Sequence, residues 1–439
     1  MSSIVSLIFL FIILVFMRFS YKRINIPLFM LSVISVFSIG YYVLPPLLNA
    51  ENLNGYSDSE VAIVLLMALV FFLSFAAGLI QSDSWFSNKP GRCFVTPTLD
   101  EVYRLHSRKF FVIFWILWIF YHFNTASSSY SAEDFEAFFH ERSVFAGALG
   151  AFSSIFLAGM VVSLLIESNR FYQQMMLLFF LLIPLFLMIS GQRLAVLTPL
   201  FILIFGYVMK GNVQKSYKYL VLGIVFLLLI SPLMVATRQV EGFTGTDKFF
   251  SAIESFNYGS DVLVTIVESI LDRSDLLSVS ILLKDYIDNS SFASFEYYKS
   301  VLLAFIPKVI YADKPYPLSD TGDIWGELSV IAWVLVKGQS TGSLTAFGFI
   351  TAYREAGWFW MLINGFLTGV LFSFVWHKFG KISLIGKILF LSIVTSLTIK
   401  QVPPSFFYAL LTLVPVVYFS IVLIFLDNLV SFLWLRVKK

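Results

Sequence analysis

A chain of 439 residues that is 58% hydrophobic and 13% charged, with a mean hydropathy of +0.85, has too little polar surface for a soluble globular protein. A net charge of +3 is too small to suggest a nucleic-acid binder, and the single cysteine, Cys93, excludes both a disulfide framework and a cysteine zinc site. What remains is an all-α polytopic membrane protein.

The first apolar run, Ile4–Met17, has its basic residues behind it and no small-residue cleavage site, so it reads as a retained first span and not a signal peptide. Pro27–Val43 and Val61–Leu79 follow. Arg18, Lys22 and Arg23 between the first two runs place that loop inside, and Glu51, Asp58 and Glu60 in the next loop fit the outside. Lys89, Arg92, Arg104, Arg108 and Lys109 mark the inside again. Phe110–Phe123 leads to an acidic outer loop, "SSSYSAEDFEAFFHER", and Val144–Ile166 returns to a turn with Arg170. Met175–Ile189 and Leu194–Met209 are joined by only "SGQR", which pins Arg193 at the outer boundary, and Tyr219–Ala236 delivers the chain to Arg238.

From Arg238 to Trp358 the pattern changes to mixed polar, aromatic and charged sequence. Val301–Ile310 and Leu344–Tyr353 inside it are apolar but too short to span, and read as interfacial or re-entrant helices. A competing reading makes Tyr298–Ile310 a true span, which would require a second crossing before Gly357. Phe359–Trp376, Leu389–Ile399 and Phe406–Leu426 close the chain, with Lys378, Lys381 and Lys387, and then Arg436, Lys438 and Lys439, inside. The expectation is about 11 spans of roughly 20 residues or fewer, organised as 1–237, a large outer segment 238–357, and 358–439. The N-terminus is expected outside and the C-terminus inside.

Four cations stand out by position: Arg193, Arg238, Lys314 in "ADKP" and Arg354 just before a span. Each read alone is a boundary charge that snorkels to water. Together they fall on the outer side, and guanidinium groups grip phosphate oxygens in a fork without losing their proton, which suits a pyrophosphate leaving group. A base for hydroxyl attack is harder to find, because no histidine lies between Arg238 and Gly357. Glu355 is the first candidate, followed by Asp313, Asp323, Glu327 and His140, the one histidine in an outer loop. "DRSD" at 272–275 is either a divalent-metal ligand set or a solvated turn or helix start, and Arg273 within it is placed to touch glycan. Tyr298 and its neighbouring aromatics are sugar-stacking candidates or interfacial anchors.

"SGQRLAVL", Arg238, "IPKVIYADKP" and "STGSLTAFGFITAYREAGW" resemble, in order and spacing, the Wzy-type O-antigen and repeat-unit polymerases; the resemblance covers 191–379. It implies an inverting glycosyltransferase of the C superfamily, in its ligase and polymerase branch, that uses neither metal, cofactor nor nucleotide sugar. Its donor and acceptor would be undecaprenyl-diphosphate-linked glycans at the outer face of a bacterial inner membrane, with membrane lipid and a chain-length regulator protein as partners and no nucleic acid. Arg193 and Arg238 would hold the donor diphosphate, with Glu355 as base. Lys314 and Arg354 would hold a second diphosphate or sugar, with Arg273 and His140 as further substrate contacts. Two alternatives stay open: an O-antigen ligase moving finished polymer to a lipid A core, and a polar-lipid transporter or flippase.

Overall fold

The computed structural model describes residues 1–22, 26–48, 53, 55–87, 97–126, 144–189, 193–211, 221, 275–295, 298–299, 302–303, 305–306, 328, 331, 348–381, 383–400 and 403–437. Among them all regular structure is helical. The helices are α1 Ser2–Lys22, α2 Ile26–Ser38, α3 Asp58–Ser87, α4 Pro97–Leu105, α5 Ser107–Ala126 and α6 Val144–Ile166. They continue as α7 Arg170–Ile189, α8 Arg193–Met209, α9 Asp275–Asp288, α10 Gly348–Val375, α11 Leu384–Lys400 and α12 Phe406–Val437. Among the described residues five stretches are long and apolar enough to cross a membrane: Ser2–Phe19, Ile26–Leu47, Asp58–Ser87, Gly348–Gly380 and Phe406–Leu429. The chain is therefore a multi-pass membrane protein. On α1 the exposed residues Ile4, Leu7, Phe11 and Leu14 form one apolar stripe at helical spacing, as a lipid-facing surface requires, while Phe9 and Ile13 are buried on the other face.

Val144–Ile166 coincides with α6, and the other described apolar runs expected from hydropathy each lie on a helix or on a helix and its π-helical continuation, which extends further by a few residues at most ends and by about eleven at the start of α10 and the end of α12. At the start of α3, Ser57 and Glu60 form a capping box: the Ser57 N–H donates to Glu60 Oε2 at 2.6 Å and the Glu60 N–H to Ser57 Oγ at 3.2 Å. Pro27–Val43 is α2 prolonged by a π-helical turn, Ile39–Val43. The expected span Tyr219–Ala236 lies outside the described residues apart from Val221, as do Val301–Ile310 in large part and the segment 238–274.

Contacts fix how the helices run relative to one another. α3 and α10 are parallel, since Ser74 Oγ donates to the Leu362 carbonyl at 2.5 Å, Phe75 packs edge-on to Phe372 and Asp83 meets His377 at 2.8 Å. α5 and α6 are antiparallel, joined by Arg108 with Glu167 and Phe114 with Phe156. α2 and α8 are antiparallel through Phe29 with Phe205 and Phe37 with Phe201. Gly206 and Lys210 of α8 meet Val161 and Leu165 of α6, which points the same way.

The helices thus have two distinct ends. One gathers Asp58, Lys284, Asp288, Arg354 and Glu355 near the starts of α3 and α12. The other gathers Arg104, Arg108, Lys109, Lys210, Lys378, Lys381 and Lys387 with Asp83, Asp100 and Glu167. At this basic end the Asp100 carboxylate, pushed up by burial, accepts the N–H groups of Leu384 and Ile385 at 3.0 and 3.1 Å and caps α11 from α4. Arg108 forks onto Glu167 at 2.7 and 2.9 Å and lies over the Tyr172 ring, 3.8 Å from its centroid.

The α3–α10 contact has no room for side chains. A Cβ on Gly78 would lie 2.1 Å from the Phe366 carbonyl oxygen, and one on Gly369 would lie 2.2 Å from that of Phe75. Gly78→Ala should therefore separate the helices and cost about 1–3 kcal/mol in thermal unfolding in detergent. Gly40→Ala, where nothing lies within 4 Å of the new methyl, serves as the comparison; it should stay within about 0.5 kcal/mol.

Arg108, through its hydrogen bonds, holds the Glu167 carboxyl down to about 2. A carboxyl lowered by folding stabilises the folded state above its unfolded pKa of about 4.3 and loses that contribution as pH falls toward the folded value. The stability difference between wild type and Glu167→Gln should be constant above about pH 5 and shrink steadily between pH 4 and 2 in acid unfolding.

Candidate functional site

α10 is broken at Ala356 (φ −159°, ψ 32°) and Gly357 (φ 74°, ψ −160°). The break divides Gly348–Glu355 from Trp358–Val375. In an unbroken helix the carbonyls of Arg354 and Glu355 would accept from residues four ahead. Here they accept from the N–H groups of Ala293 and Ser294, at 2.9 and 3.1 Å. Donors from a distant loop thus replace those the break removes. The loop is itself strained: Ser294 and Phe295 both have positive φ, 49° and 68°, which costs non-glycine residues about 1–2 kcal/mol each.

Arg354 and Glu355 are both buried, at 8% and 0% exposure, and face different neighbours. The Arg354 guanidinium donates to Ser290 Oγ at 3.1 Å and to the Ser291 carbonyl, and lies 5.9 Å from the Tyr286 ring. Beside it the Asp288 carboxylate bridges the Tyr353 hydroxyl at 2.7 Å and Lys284 Nζ at 2.6 Å. This set locks the end of α9 to the short half of α10. Neither carboxylate oxygen of Glu355 has a hydrogen-bond partner. The Phe295 N–H and the Arg354 charge are the nearby groups that favour its ionised form.

On the other side of the break stands Asn364, fully buried. Its Oδ1 accepts the Phe406 N–H at 2.7 Å, and its Nδ2 donates to the Tyr298 hydroxyl at 2.8 Å. Tyr298 is ringed by aromatics, with Trp360 at 5.8 Å, Phe407 at 6.1 Å, Phe295 at 6.2 Å and Phe406 at 6.3 Å between centroids. Burial first, and then the Glu355 charge, push the Tyr298 phenol up, so it is a neutral donor at any working pH.

Of the residues expected to form a site, the structure describes Arg354, Glu355 and the backbone of Arg193. Arg193 opens α8 at the end opposite Lys210, and so shares an end of the bundle with the α10 break. Arg238, Arg273, Lys314 and His140, and the further base candidates Asp313, Asp323 and Glu327, lie outside the described residues. "DRSD" ends at Asp275, the first residue of α9. Among the described residues no group of three or more His, Cys, Asp and Glu side chains is placed to hold a metal ion. Sequence reasoning did not single out Asn364 or Ser290. The available signal was a lone asparagine within an apolar span, which is costly unless it is bonded.

Compared with known proteins, the chain matches no family model, no curated relative and no solved structure.

Gly357 has a φ of 74°, and a Cβ there would come 3.3 Å from the Phe292 ring. Gly357→Ala should destabilise the protein by about 1–2 kcal/mol. A thermal melt in detergent that leaves the midpoint unchanged would show that the break tolerates any residue.

Proposed function

We propose that the chain is a membrane glycosyltransferase that polymerises undecaprenyl-diphosphate-linked repeat units, in the manner of the Wzy-type polymerases whose motif order it resembles. The observation that carries this reading is Glu355: a carboxylate with no hydrogen-bond partner, held at a helix break by a strained loop, at the end of the bundle away from the lysine-rich face. A buried polar group left without a partner is costly, and such groups cluster where chemistry uses them.

The positive-inside rule makes the lysine-rich end cytoplasmic and the Glu355 end external. The full topology in this reading has about 11 spans, an external N-terminus, a cytoplasmic C-terminus and an outer segment 238–357, in a bacterial inner membrane. At the site, a non-reducing-end hydroxyl of the incoming repeat unit attacks the anomeric carbon of the growing chain from the face opposite the diphosphate. The new glycosidic bond forms as the anomeric carbon–diphosphate bond breaks. The hydroxyl proton passes to Glu355, and the undecaprenyl diphosphate leaves with the bonding pair. Arg193 and Arg238 offset its charge. Lys314 and Arg354 serve the second diphosphate or sugar, with Arg273 and His140 as glycan contacts. Arg354 reaches a substrate only by exchanging its Ser290 and Ser291 acceptors. The chemistry as written needs no metal or cofactor.

The transporter reading has one observation in its favour, since a broken helix with a buried charge is a common device of secondary transporters. A ligase would share the site and differ in product. The test uses cells that make the polymer and carry Arg193→Ala, Arg238→Ala or Glu355→Gln. Each variant should abolish long glycan while single repeat units still reach the final acceptor. Polymer stranded on the lipid carrier would indicate a ligase. A normal ladder from all three variants, together with solute or lipid movement by the purified protein in liposomes, would replace the polymerase with a transporter.

A further inference from the structure

The hydrogen-bond directions around Asn364 can be assigned without choosing a rotamer. The Phe406 backbone N–H is only a donor, so the Asn364 atom facing it at 2.7 Å is the oxygen, and the atom facing Tyr298 at 2.8 Å is the amide nitrogen. Tyr298 must therefore accept from Asn364. Trp360 Nε1, the other polar group beside the phenol, is also only a donor. The Tyr298 proton is turned away from both, and among the described residues it has no acceptor. A group with acceptor capacity to spare near the phenol is Glu355, both of whose oxygens are buried without a partner, and the Phe295 ring beside Tyr298 belongs to the residue whose N–H lies near that carboxylate.

The polarity therefore runs one way, from the start of α12 through the amide of α10 to the phenol. We propose that Tyr298, oriented by Asn364, is the positioning residue for Glu355: it donates to one carboxylate oxygen when substrate is bound and leaves the other to take the proton of the attacking hydroxyl. The inference rests on the polymerase reading with Glu355 as base. It also explains why an asparagine lies in the apolar half of α10. Asn364 caps α12 and orients the phenol at once, so the start of α12 and the catalytic carboxylate keep a fixed relation. A phenylalanine in place of Tyr298 would keep every ring contact and lose only the hydroxyl.

The experiment uses the purified full chain and the lipid-diphosphate repeat units extracted from cells lacking it, with polymer formation followed over time. Tyr298→Phe should lower kcat about 10-fold or more and leave KM within about twofold, because the residue acts on the base and not on substrate binding. In a Glu355→Asp background, where the carboxylate is withdrawn from the phenol, Tyr298→Phe should cost no more than about a further twofold. Phe407→Leu loosens the same ring cluster without touching the hydroxyl. It should lower the unfolding midpoint at least as much as Tyr298→Phe and leave kcat within about twofold.

Losses that simply multiply in the Tyr298→Phe, Glu355→Asp double variant would overturn the positioning role, as would equal kcat losses from Phe407→Leu and Tyr298→Phe. A rise in KM at constant kcat would also overturn it and make Tyr298 a sugar contact. If wild type forms no polymer from these repeat units, the polymerase reading fails and this inference fails with it. If wild type polymerises and Glu355→Gln does not, while Tyr298→Phe is fully active, only the inference fails.

Discussion

Everything at the candidate site depends on the close parallel contact between α3 and α10. Apolar helices in a bilayer gain no hydrophobic free energy by meeting, since lipid tails are as apolar as leucine, so association depends on how closely the backbones approach. Gly78, Gly365 and Gly369 allow the backbones to touch, and Ser74 adds a hydrogen bond to the Leu362 carbonyl across the contact. That contact fixes the height of the long half of α10 in the bundle. It thereby fixes the height of the break above it, and of Arg354 and Glu355.

Two later helices are tied to this pair in the same manner. The start of α11 is capped by its own Ser383 and by Asp100 of α4, and the start of α12 by its own Ser405 and by Asn364 of α10. In each case a local cap ends the helix and a distant polar side chain says where in the bundle that end must lie. Unpaired N–H groups at a helix start are expensive in an apolar medium, so each distant cap acts as a positional lock. One lock sits at the basic end and the other beside Glu355, which holds the last two helices at opposite ends of the bundle.

The helices among the described residues were largely legible in the sequence, because each contains an apolar run bounded by charges, and Val144–Ile166 matches α6 to the residue. The break in α10 was legible only in outline, as the gap between the expected helices Leu344–Tyr353 and Phe359–Trp376. "TAYREAGWFW" displays Gly357, but a single glycine is compatible with a continuous helix; what holds the break open is a pair of N–H donors at Ala293 and Ser294, far away in sequence. α9 was hidden for a different reason. Its 14 residues are too few to span and carry serines among the leucines, so the hydropathy signal is diluted, although Leu277, Val279, Ile281, Leu283 and Ile287 are all buried. Asn364 was passed over inside an apolar run, since its importance lies in the two partners it joins.

The arrangement of Arg354 and Glu355 carries the last point. Adjacent opposite charges suggest an ion pair. Consecutive residues on a helix diverge by about 100°, so neighbours in sequence face different surroundings, and charge pairing belongs to spacings of three or four. Arg354 accordingly turns to Ser290, Ser291 and Tyr286 and holds α9, while the Glu355 carboxylate is buried with no hydrogen-bond partner and no cation bonded to it. Had the arginine stood one turn away, it would have taken the carboxylate as a partner and left neither group available. A step of one residue, immediately before a break that ends the helix, lets a structural cation and an unpaired carboxylate sit side by side.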